Sequence, residues 1–435
     1  MHETIHLHGM ETDILIIGAG VLGLSSAYHL KKRDPTRKIV VIERLGGPGQ
    51  GNSAKSEGAY RNLFTGEANF YLADTTIDWF QILEGKMGYD LKLSKQGYFW
   101  LFSEEQYTWN KASFETIAKH GAETRIYSGE EIHAMIPDLV INHDDNEETE
   151  IIGLENVDVG VFGVKCGSLD ADSLVRAYES EFLKLGGEIH YNTTATKLLH
   201  EPVEPLGIPG EPFVWQESRI AGTETSKGRI LAETTVVACG TWAAQLLDPI
   251  GLDCHMRPKK RQLFAFKDIK LGGLMNVKGL NDSGALPLTI LPKAGIYLKG
   301  ELTEGSIWVG CADELGRKYE VEDDPQPENS YYTDNIYHAL VQYFPCFESV
   351  RPANSWAGQY DINSFDKTPV IETAPGFIYV GASSGSGIMK SDALGRIVDA
   401  AYEEEEYAYL FGERKFRVRD IGIKNRNIEK ETLVI

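Results

Sequence analysis

Three glycines near the start of the chain have a spacing that suits phosphate binding. They are Gly18, Gly20 and Gly23, and they follow the apolar run 14–17 directly. In this pattern the first glycine allows a tight turn, the second lets a pyrophosphate approach the backbone, and the third lets helix and strand pack closely. A helix that begins near Val21 would direct its free N–H groups and positive dipole end at the phosphates. The stretch therefore predicts a dinucleotide site.

An acidic residue stands where this motif requires one. Glu43 ends a second apolar run, 38–43, about 20 residues beyond the third glycine. A carboxylate at this point accepts hydrogen bonds from both hydroxyls of an adenosine ribose, and it would repel a 2′-phosphate. After Arg44 the chain enters a loop and then a segment of small side chains that begins with Ser53 and Ala54. Small side chains beside a nucleotide site allow a flat ring to approach closely.

Two later stretches repeat the change from a buried strand to glycine. The first is the run 234–240, where Cys239, Gly240 and Trp242 would turn the chain back towards the nucleotide. The second is a glycine-rich loop that leads into a helix near residue 388. Because a helix start presents N–H groups to an anion, this loop is a second place where negative charge would be stabilised. The candidate residues there are Gly381, Gly385, Gly387, Ile388 and Met389.

The composition limits the classes of protein that remain. A chain of 435 residues predicts two or three domains, and its net charge of −21 argues against nucleic acid or an anionic membrane surface as a partner. Five scattered cysteines suit a reducing cytoplasm, and no apolar run approaches the roughly 18 residues of a membrane span. The stretch 1–8 lacks the pattern of a signal peptide. No metal set is predicted, because the histidines are dispersed. We therefore expect a cytoplasmic protein.

The elements that must position these residues alternate along the chain. The βα segments 12–86, 165–247 and 366–412 predict a discontinuous, Rossmann-like dinucleotide domain, and the strand-rich segments 87–164 and 248–365 predict a second domain. Residues 413–435 remain as a C-terminal tail. The predicted fold class is thus α/β (α+β), with a second domain built on an antiparallel sheet.

These signals, in this order, resemble the flavin-dependent D-amino-acid oxidase superfamily, in the branch of sarcosine oxidase, glycine oxidase and archaeal L-proline dehydrogenase. The resemblance spans nearly the whole chain and implies an FAD-binding fold with an antiparallel substrate domain. It also implies that Ala195 lies near the adenine and Gly381 near the flavin. In sarcosine oxidase a cysteine carries a covalent flavin; here Gly358 stands at that position, so we expect FAD to be bound without a covalent bond.

Four residues are candidates for contact with the substrate. Arg61 lies near the end of the small-residue segment and could bind a carboxylate; the alternative is a salt bridge to Glu57 or Glu67. Tyr360 follows Gly358. The resemblance implies a carboxylate-binding lysine where this chain has Met389, with Lys390 one residue later. Since adjacent helical residues point about 100° apart, Lys390 is either a substrate contact or a surface lysine. Lys55 and Arg261 are further candidates with less support.

The resemblance and the residues together predict an FAD-dependent oxidoreductase that oxidises the C–N bond of a small amino acid. L-Proline or a similar secondary amino acid is the expected substrate, and a carrier or O2 accepts the electrons. One alternative is oxidation of a hydroxy acid or a glycerol phosphate, for which the cluster Lys259, Lys260 and Arg261 would supply charge. Another is a non-catalytic flavin-binding subunit of a larger complex. The sequence leaves the oligomeric state open.

Overall fold

The computed structural model describes residues 9–144, 146–293 and 295–433. The N-terminal stretch 1–8 therefore lies outside the described residues. In chain order the strands are β1 Met10–Ile17, β2 Ile39–Ile42, β3 Ala59–Tyr60, β4 Tyr98–Phe102, β5 Thr124–Ser128, β6 Val159–Gly163, β7 Gly167–Ser168, β8 Glu188–His190, β9 Ala195–Pro202, β10 Ser218–Thr225, β11 Gly228–Val237, β12 Met256–Phe266, β13 Leu288–Ile290, β14 Ile296–Glu301, β15 Ser306–Cys311, β16 Asn354–Asn363, β17 Val370–Ala374, β18 Phe377–Gly381, β19 Tyr407–Leu410 and β20 Arg414–Arg417.

The α-helices are α1 Val21–Arg33, α2 Glu67–Gly85, α3 Glu104–His120, α4 Gly129–Met135, α5 Glu147–Ile152, α6 Ala171–Lys184, α7 Ala243–Leu247, α8 His338–Tyr343 and α9 Ser391–Tyr402. Helix α8 is short, because a π-helical segment, Tyr332–Tyr337, precedes it. None of the helices in the described residues combines the length and apolar composition needed to cross a bilayer.

The first sheet has the strand order β17-β18-β11-β1-β2-β8, and β9 and β10 extend it from β11. Strands β18, β11, β1, β2 and β8 run parallel, which is the arrangement that the buried Ile- and Val-rich runs predicted. The helices α1, α6 and α9 cover one face. Since β1 lies between β2 and β11, the loops that follow these three strands meet at one edge, where an open α/β sheet binds its ligand.

The second sheet has the order β16-β12-β15-β14-β13-β4-β6-β5 and is antiparallel except for the pair β13–β4. Its strands come from the segments 87–164 and 248–365, as expected for the second domain. The exact domain boundaries stay a prediction.

The C-terminal segment differs from the tail that we expected from residue 413. Strand β20 pairs with β19 across a turn at Gly412, so a boundary after 412 would divide a hairpin. Further on, the carboxylate of Glu431 accepts hydrogen bonds from the N–H groups of Thr65 and Gly66, immediately before α2. A carboxylate at a helix N-terminus satisfies donors that the helix itself leaves free. The segment is therefore packed against the body of the protein.

Candidate active site

A cavity of about 590 Å³ extends from the phosphate-binding turn of the first sheet to the second sheet. Most of the residues predicted to bind cofactor or substrate line it. The predicted residues along its wall are Gly18, Gly20, Val21, Glu43, Arg44, Ser53, Ala195, Cys239, Gly240, Trp242, Gly358, Gly385, Gly387, Ile388, Met389, Arg61 and Tyr360, and Lys55 and Arg261 line it as well. Four predicted residues, Gly23, Ala54, Gly381 and Lys390, are not part of this wall.

Two glycines of the phosphate-binding turn are required by close contacts within the protein. Gly18 has φ +109°, and a Cβ there would lie 2.7 Å from the carbonyl oxygen of Ala238. A Cβ at Gly23 would lie 1.9 Å from the carbonyl oxygen of Gly18, so helix and strand touch at that glycine, as predicted. Both of these glycines are required by the fold itself.

Gly20 is different, because a Cβ there would meet only Ser53 Oγ, at 3.4 Å. Its φ of −75° is also open to other residues. The protein alone therefore does not require glycine at this position, whereas a pyrophosphate lying against the backbone would. At the same point the N–H of Val21, the first residue of α1, donates to Ser53 Oγ at 3.2 Å.

The carboxylate of Glu43 is held rigidly at the end of β2. Its two oxygens accept hydrogen bonds from the N–H groups of Ala19 and Leu45, each at 2.9 Å. A carboxylate oxygen has two acceptor positions, so each oxygen keeps one for a further donor. This arrangement fits the pair of ribose hydroxyls for which Glu43 was predicted.

The glycine-rich loop after β18 lies against Tyr360. Gly385 has φ +78°, and a Cβ there would lie 2.4 Å from Cε2 of Tyr360. The loop leads into a 3-10 turn, Ile388–Lys390, and then into α9. The predicted helix is therefore present but begins with a 3-10 turn, and Gly387 is the N-cap residue of that turn. The side chain of Met389 reaches the cavity.

Lys390 differs from both of the alternatives raised by the sequence. It is fully buried rather than on the surface, and it lies outside the cavity wall. Its Nζ donates to Asn69 Oδ1 at 2.6 Å and to Ser386 Oγ at 2.7 Å. Burial lowers the pKa of Lys390 to about 7. Met389 thus lines the cavity whereas Lys390 lies in the protein core, so this position does not direct Lys390 at a substrate in the cavity.

Arg61 lines the cavity but is also tied to the main chain. Its Nη1 donates to the carbonyl oxygen of Leu63 and its Nη2 to that of Leu433, the latter at 3.1 Å. The guanidinium lies 4.1 Å from the ring centroid of Phe64. Burial lowers the pKa of Arg61. Within the described residues Arg61 forms no salt bridge to Glu57 or Glu67. The salt bridge suggested as a structural role is therefore wrong, and main-chain carbonyl oxygens hold the guanidinium instead.

Arg261 has more unused hydrogen-bonding capacity than Arg61. Its Nη1 donates to the carbonyl oxygen of Asp313 at 2.9 Å, and its guanidinium lies 5.7 Å from the ring centroid of Tyr360. Its buried Nε has no hydrogen-bond partner in the described part of the chain. Burial and the nearby Glu57 raise the pKa of Tyr360 to about 12, although Arg261 and Arg61 oppose this shift. Both arginines thus act on the same tyrosine.

The sequence reasoning missed the acid and the aromatic residues that complete this end of the cavity. They are Glu57, Tyr98 and Tyr297, and all three line the wall. Burial raises the pKa of Glu57 to about 7 and those of the two tyrosines well above their ordinary value. Glu57 was visible in the sequence as a lone acid within the small-residue segment, whereas the two tyrosines come from strands whose approach only the fold reveals.

The cradle of glycines, the helix start and the ribose-type carboxylate fit a dinucleotide, and the second glycine loop fits a redox-active ring that becomes negatively charged. The chain belongs to the FAD-dependent oxidoreductase (DAO) family, whose model matches residues 13–401. This family membership makes it an FAD-dependent oxidoreductase.

Several known proteins are similar to this chain over most of their own length. The FAD-dependent oxidoreductase domain-containing protein 1 of Xenopus laevis is 23% identical over 420 residues, which cover 89% of this chain and 78% of that protein. Sarcosine oxidase subunit beta of Rhodobacter capsulatus is 19% identical over 381 residues, 87% of this chain and 81% of that protein. Among solved structures, L-proline dehydrogenase from P. horikoshii superposes with a TM-score of 0.74 at 21% identity, over 95% of this chain and 97% of that one. Glycine oxidase from Geobacillus kaustophilus gives a TM-score of 0.70 at 19% identity, over 91% and 96%.

Proposed function

We propose that this FAD-dependent oxidoreductase oxidises the C–N bond of a small amino acid, with L-proline or a similar secondary amino acid as its substrate. The observation that carries the proposal is the pairing of Arg61 and Arg261 with Tyr360 in the wall of the cavity, close to the glycine-rich loop. Two cations beside a hydroxyl form a binding site for one carboxylate. The names of the relatives and structural neighbours support an amine or amino acid as the substrate class.

The residues of the chain have separate roles in this proposal. Arg61 and Arg261 bind the carboxylate and so fix the α-carbon, and Tyr360 donates its hydroxyl proton in a hydrogen bond to the same group. Met389 offers a soft apolar surface that suits a pyrrolidine ring or an N-methyl group. FAD, when bound, supplies the two-electron chemistry by accepting a hydride. The protein contributes placement and electrostatics.

We also propose which residues bind the cofactor. The turn at Gly18 and Gly20 with α1 holds the pyrophosphate, Glu43 holds the ribose, and the loop around Gly385 and Gly387 faces the flavin. The resemblance implies that Gly358 stands where a covalent tether would otherwise attach, which supports non-covalent FAD. The five free cysteines support the predicted cytoplasmic setting.

The electron acceptor is proposed to be a carrier rather than oxygen. A cation near the flavin promotes reaction with oxygen by stabilising developing superoxide charge. The resemblance implies a lysine where this chain has Met389, and the neighbouring Lys390 is buried outside the cavity wall. A thioether stabilises no anion, which favours slow reaction with oxygen.

A phosphate-bearing substrate is less well supported by the geometry. Of the three clustered cations on β12, only Arg261 lines the cavity. Lys259 is paired with Glu314 at 2.9 Å, and Lys260 is paired with Glu322 at 3.1 Å. These pairs leave no cluster of unused positive charge for a phosphate.

Turnover of the purified holoprotein with an artificial dye tests the substrate class. The panel contains L-proline, sarcosine, glycine and D-amino acids on one side, and lactate and glycerol 3-phosphate on the other. The proposal predicts turnover of amino acids, fastest with L-proline. Turnover of hydroxy acids alone would overturn the proposed chemistry, and turnover of glycine or sarcosine without proline would overturn the proposed substrate.

A further inference from the structure

Glu57 is an acid in the wall of the cavity whose carboxylate has no hydrogen-bond or ion-pair partner among the described residues. The side chain is half-buried and lines the cavity. Across the described residues, no side chain or N–H group forms a hydrogen bond or an ion pair with this carboxylate. Each oxygen of an ionised carboxylate can accept hydrogen bonds, so an acid at a cavity wall that receives none from the protein is free to accept them from a ligand.

The backbone around Glu57 is fixed in place. Lys299 Nζ donates to the carbonyl oxygen of Glu57 at 2.7 Å, and the N–H of Leu169 donates to the carbonyl oxygen of Gly58 at 2.9 Å. Gly58 has φ +66°, and a Cβ there would lie 1.9 Å from the carbonyl oxygen of Leu169. The position next to Glu57 therefore tolerates only glycine, and the acid is presented to the cavity from a rigid segment.

Within the part of the chain that the structure describes, the one cation that acts on the charge of Glu57 already has hydrogen-bond partners. Lys299, from β14, is 1% exposed and donates its hydrogen bonds to the Glu57 carbonyl oxygen and to Glu301 Oε2, the latter at 2.9 Å. Because burial outweighs this cation, the pKa of Glu57 rises to about 7. The acid can therefore change its protonation state near neutral pH.

The groups that face Glu57 across the cavity come from three different strands. Burial, and after it the charge of Glu57, raises the pKa of Tyr98 on β4, Tyr297 on β14 and Tyr360 on β16. Arg61 and Arg261, which the proposed function assigns to a carboxylate, line the same cavity, and Arg261 Nη1 also lies 4.0 Å from the Asp313 carboxylate. The cavity thus combines cations for a carboxylate with an unpaired acid for an ammonium group, which is the complement of a zwitterion.

We propose that Glu57 binds the ammonium group of the substrate and accepts one of its protons before the substrate is oxidised. The inference rests on the proposed function, since it requires an amine substrate. The ammonium gives a proton to the carboxylate and becomes a neutral amine. FAD, when bound, would accept the hydride lost from the adjacent C–H bond. The nitrogen lone pair forms the C=N bond, so two electrons leave the substrate and the first proton remains on Glu57.

The chemistry explains why an acid with this pKa is useful. An ammonium nitrogen has no lone pair with which to form a C=N bond, so deprotonation must come first. A general base is most effective when its pKa lies near the working pH, and such groups contribute typically about 10²–10⁴-fold. Glu57 meets this condition, and the bound ammonium would further favour its charged form.

The test is the rate of anaerobic flavin reduction by L-proline as a function of pH, in the wild-type holoprotein, in Glu57→Gln and in Glu181→Gln. Glu181→Gln is the matched control, because it removes a half-buried carboxylate that is paired with Lys184 and does not line the cavity. We expect the wild-type and control rates to rise through a group near neutral pH. Glu57→Gln should reduce its flavin about 100-fold more slowly near neutrality. It should recover most of the rate above the pKa of the free amine, where the substrate arrives already deprotonated.

A second readout does not depend on turnover. Tetrahydrofuran-2-carboxylate keeps the carboxylate and ring of proline but has no amine, and its binding is followed by its effect on the flavin absorbance. The proposal predicts equal affinity in the wild type and in Glu57→Gln. Wild-type rates in Glu57→Gln near neutrality would overturn the inference, and so would a rate loss that persists at high pH together with loss of this probe. If no amino acid reduces the wild-type flavin, the proposed function itself is wrong, and the inference about Glu57, which rests on it, is wrong as well.

Discussion

The carboxylate of Asp323 accepts a hydrogen bond from Arg44 Nη1 at 2.8 Å and thereby joins the loop after β15 to the end of β2. Trp242 Nε1 donates to the same oxygen at 3.0 Å, and the Arg44 guanidinium lies 4.3 Å from the Trp242 ring centroid. All three residues line the cavity near Glu43. A segment of the second domain therefore closes the nucleotide end of the site.

This closure predicts that Asp323→Ala releases FAD faster. Asp323 is exposed, and an exposed ion pair contributes about 1 kcal/mol at most, so we expect an increase of up to about fivefold in the dissociation rate. Flavin fluorescence after dilution measures the rate. Asp90→Ala, which breaks an exposed pair with Lys92 away from the cavity, is the control and should leave the rate unchanged. Equal rates in Asp323→Ala and the wild type would show that the loop does not retain the cofactor.

The two glycines of the phosphate turn should respond differently to substitution. Because space for a Cβ exists at Gly20, Gly20→Ala should fold with nearly the wild-type apoprotein melting temperature yet bind FAD more weakly, and Gly20→Val should bind none. Gly18→Ala should instead unfold at a clearly lower temperature, since its Cβ would meet Ala238. Flavin absorbance per protein and thermal unfolding of the apoprotein separate the two effects. Full flavin occupancy in Gly20→Val would show that the pyrophosphate does not bind at this turn.

The two arginines should both contribute to substrate binding, with different structural consequences. A charge-assisted contact in a partly dry pocket contributes on the order of 2–4 kcal/mol, so Arg61→Met and Arg261→Met should each lower kcat/KM at least about thirtyfold. Arg61→Met should also lower the melting temperature, because two buried main-chain carbonyls lose their donor.

Arg257→Met is the matched control for the arginine variants, since Arg257 lies on the same strand as Arg261 but outside the cavity wall. Its kinetics should equal those of the wild type. If Arg261→Met keeps the wild-type kcat/KM while Arg61→Met loses it, the carboxylate is bound by Arg61 without Arg261; the reverse result would make Arg61 a structural residue.

The raised pKa of Glu57 also predicts a pH-dependent effect on stability. The ordinary glutamate pKa is 4.5 and the folded value is about 7, so between these pH values the folded protein binds the proton more tightly than the unfolded chain. Stability contributed by this group is therefore lost as the pH rises through that window. Glu57→Gln should melt at a higher temperature than the wild type above neutrality, with the difference shrinking as the pH falls towards 4.5. A difference that does not vary with pH would show that the pKa of Glu57 is not raised.

Local patterns in the sequence predicted the parallel sheet, the glycine turn and the position of Glu43, because each depends on neighbouring residues. The orientation of Lys390 could not be predicted in this way, since a 3-10 turn replaces the first turn of the expected helix. Glu57 was missed for another reason. Its importance depends on Lys299 and on tyrosines from β4, β14 and β16, which are distant in the sequence and meet only in the folded protein.

The account is tested most directly by mixing the oxidised holoprotein with L-proline in the absence of oxygen and recording the flavin absorbance. We predict complete bleaching, followed by faster recovery of colour when an artificial dye is admitted than when air is admitted. Recovery in air as fast as with the dye, with release of peroxide, would contradict the proposed acceptor. A yellow colour that persists with proline and with every other amino acid would contradict the central claim that the protein oxidises the C–N bond of an amino acid.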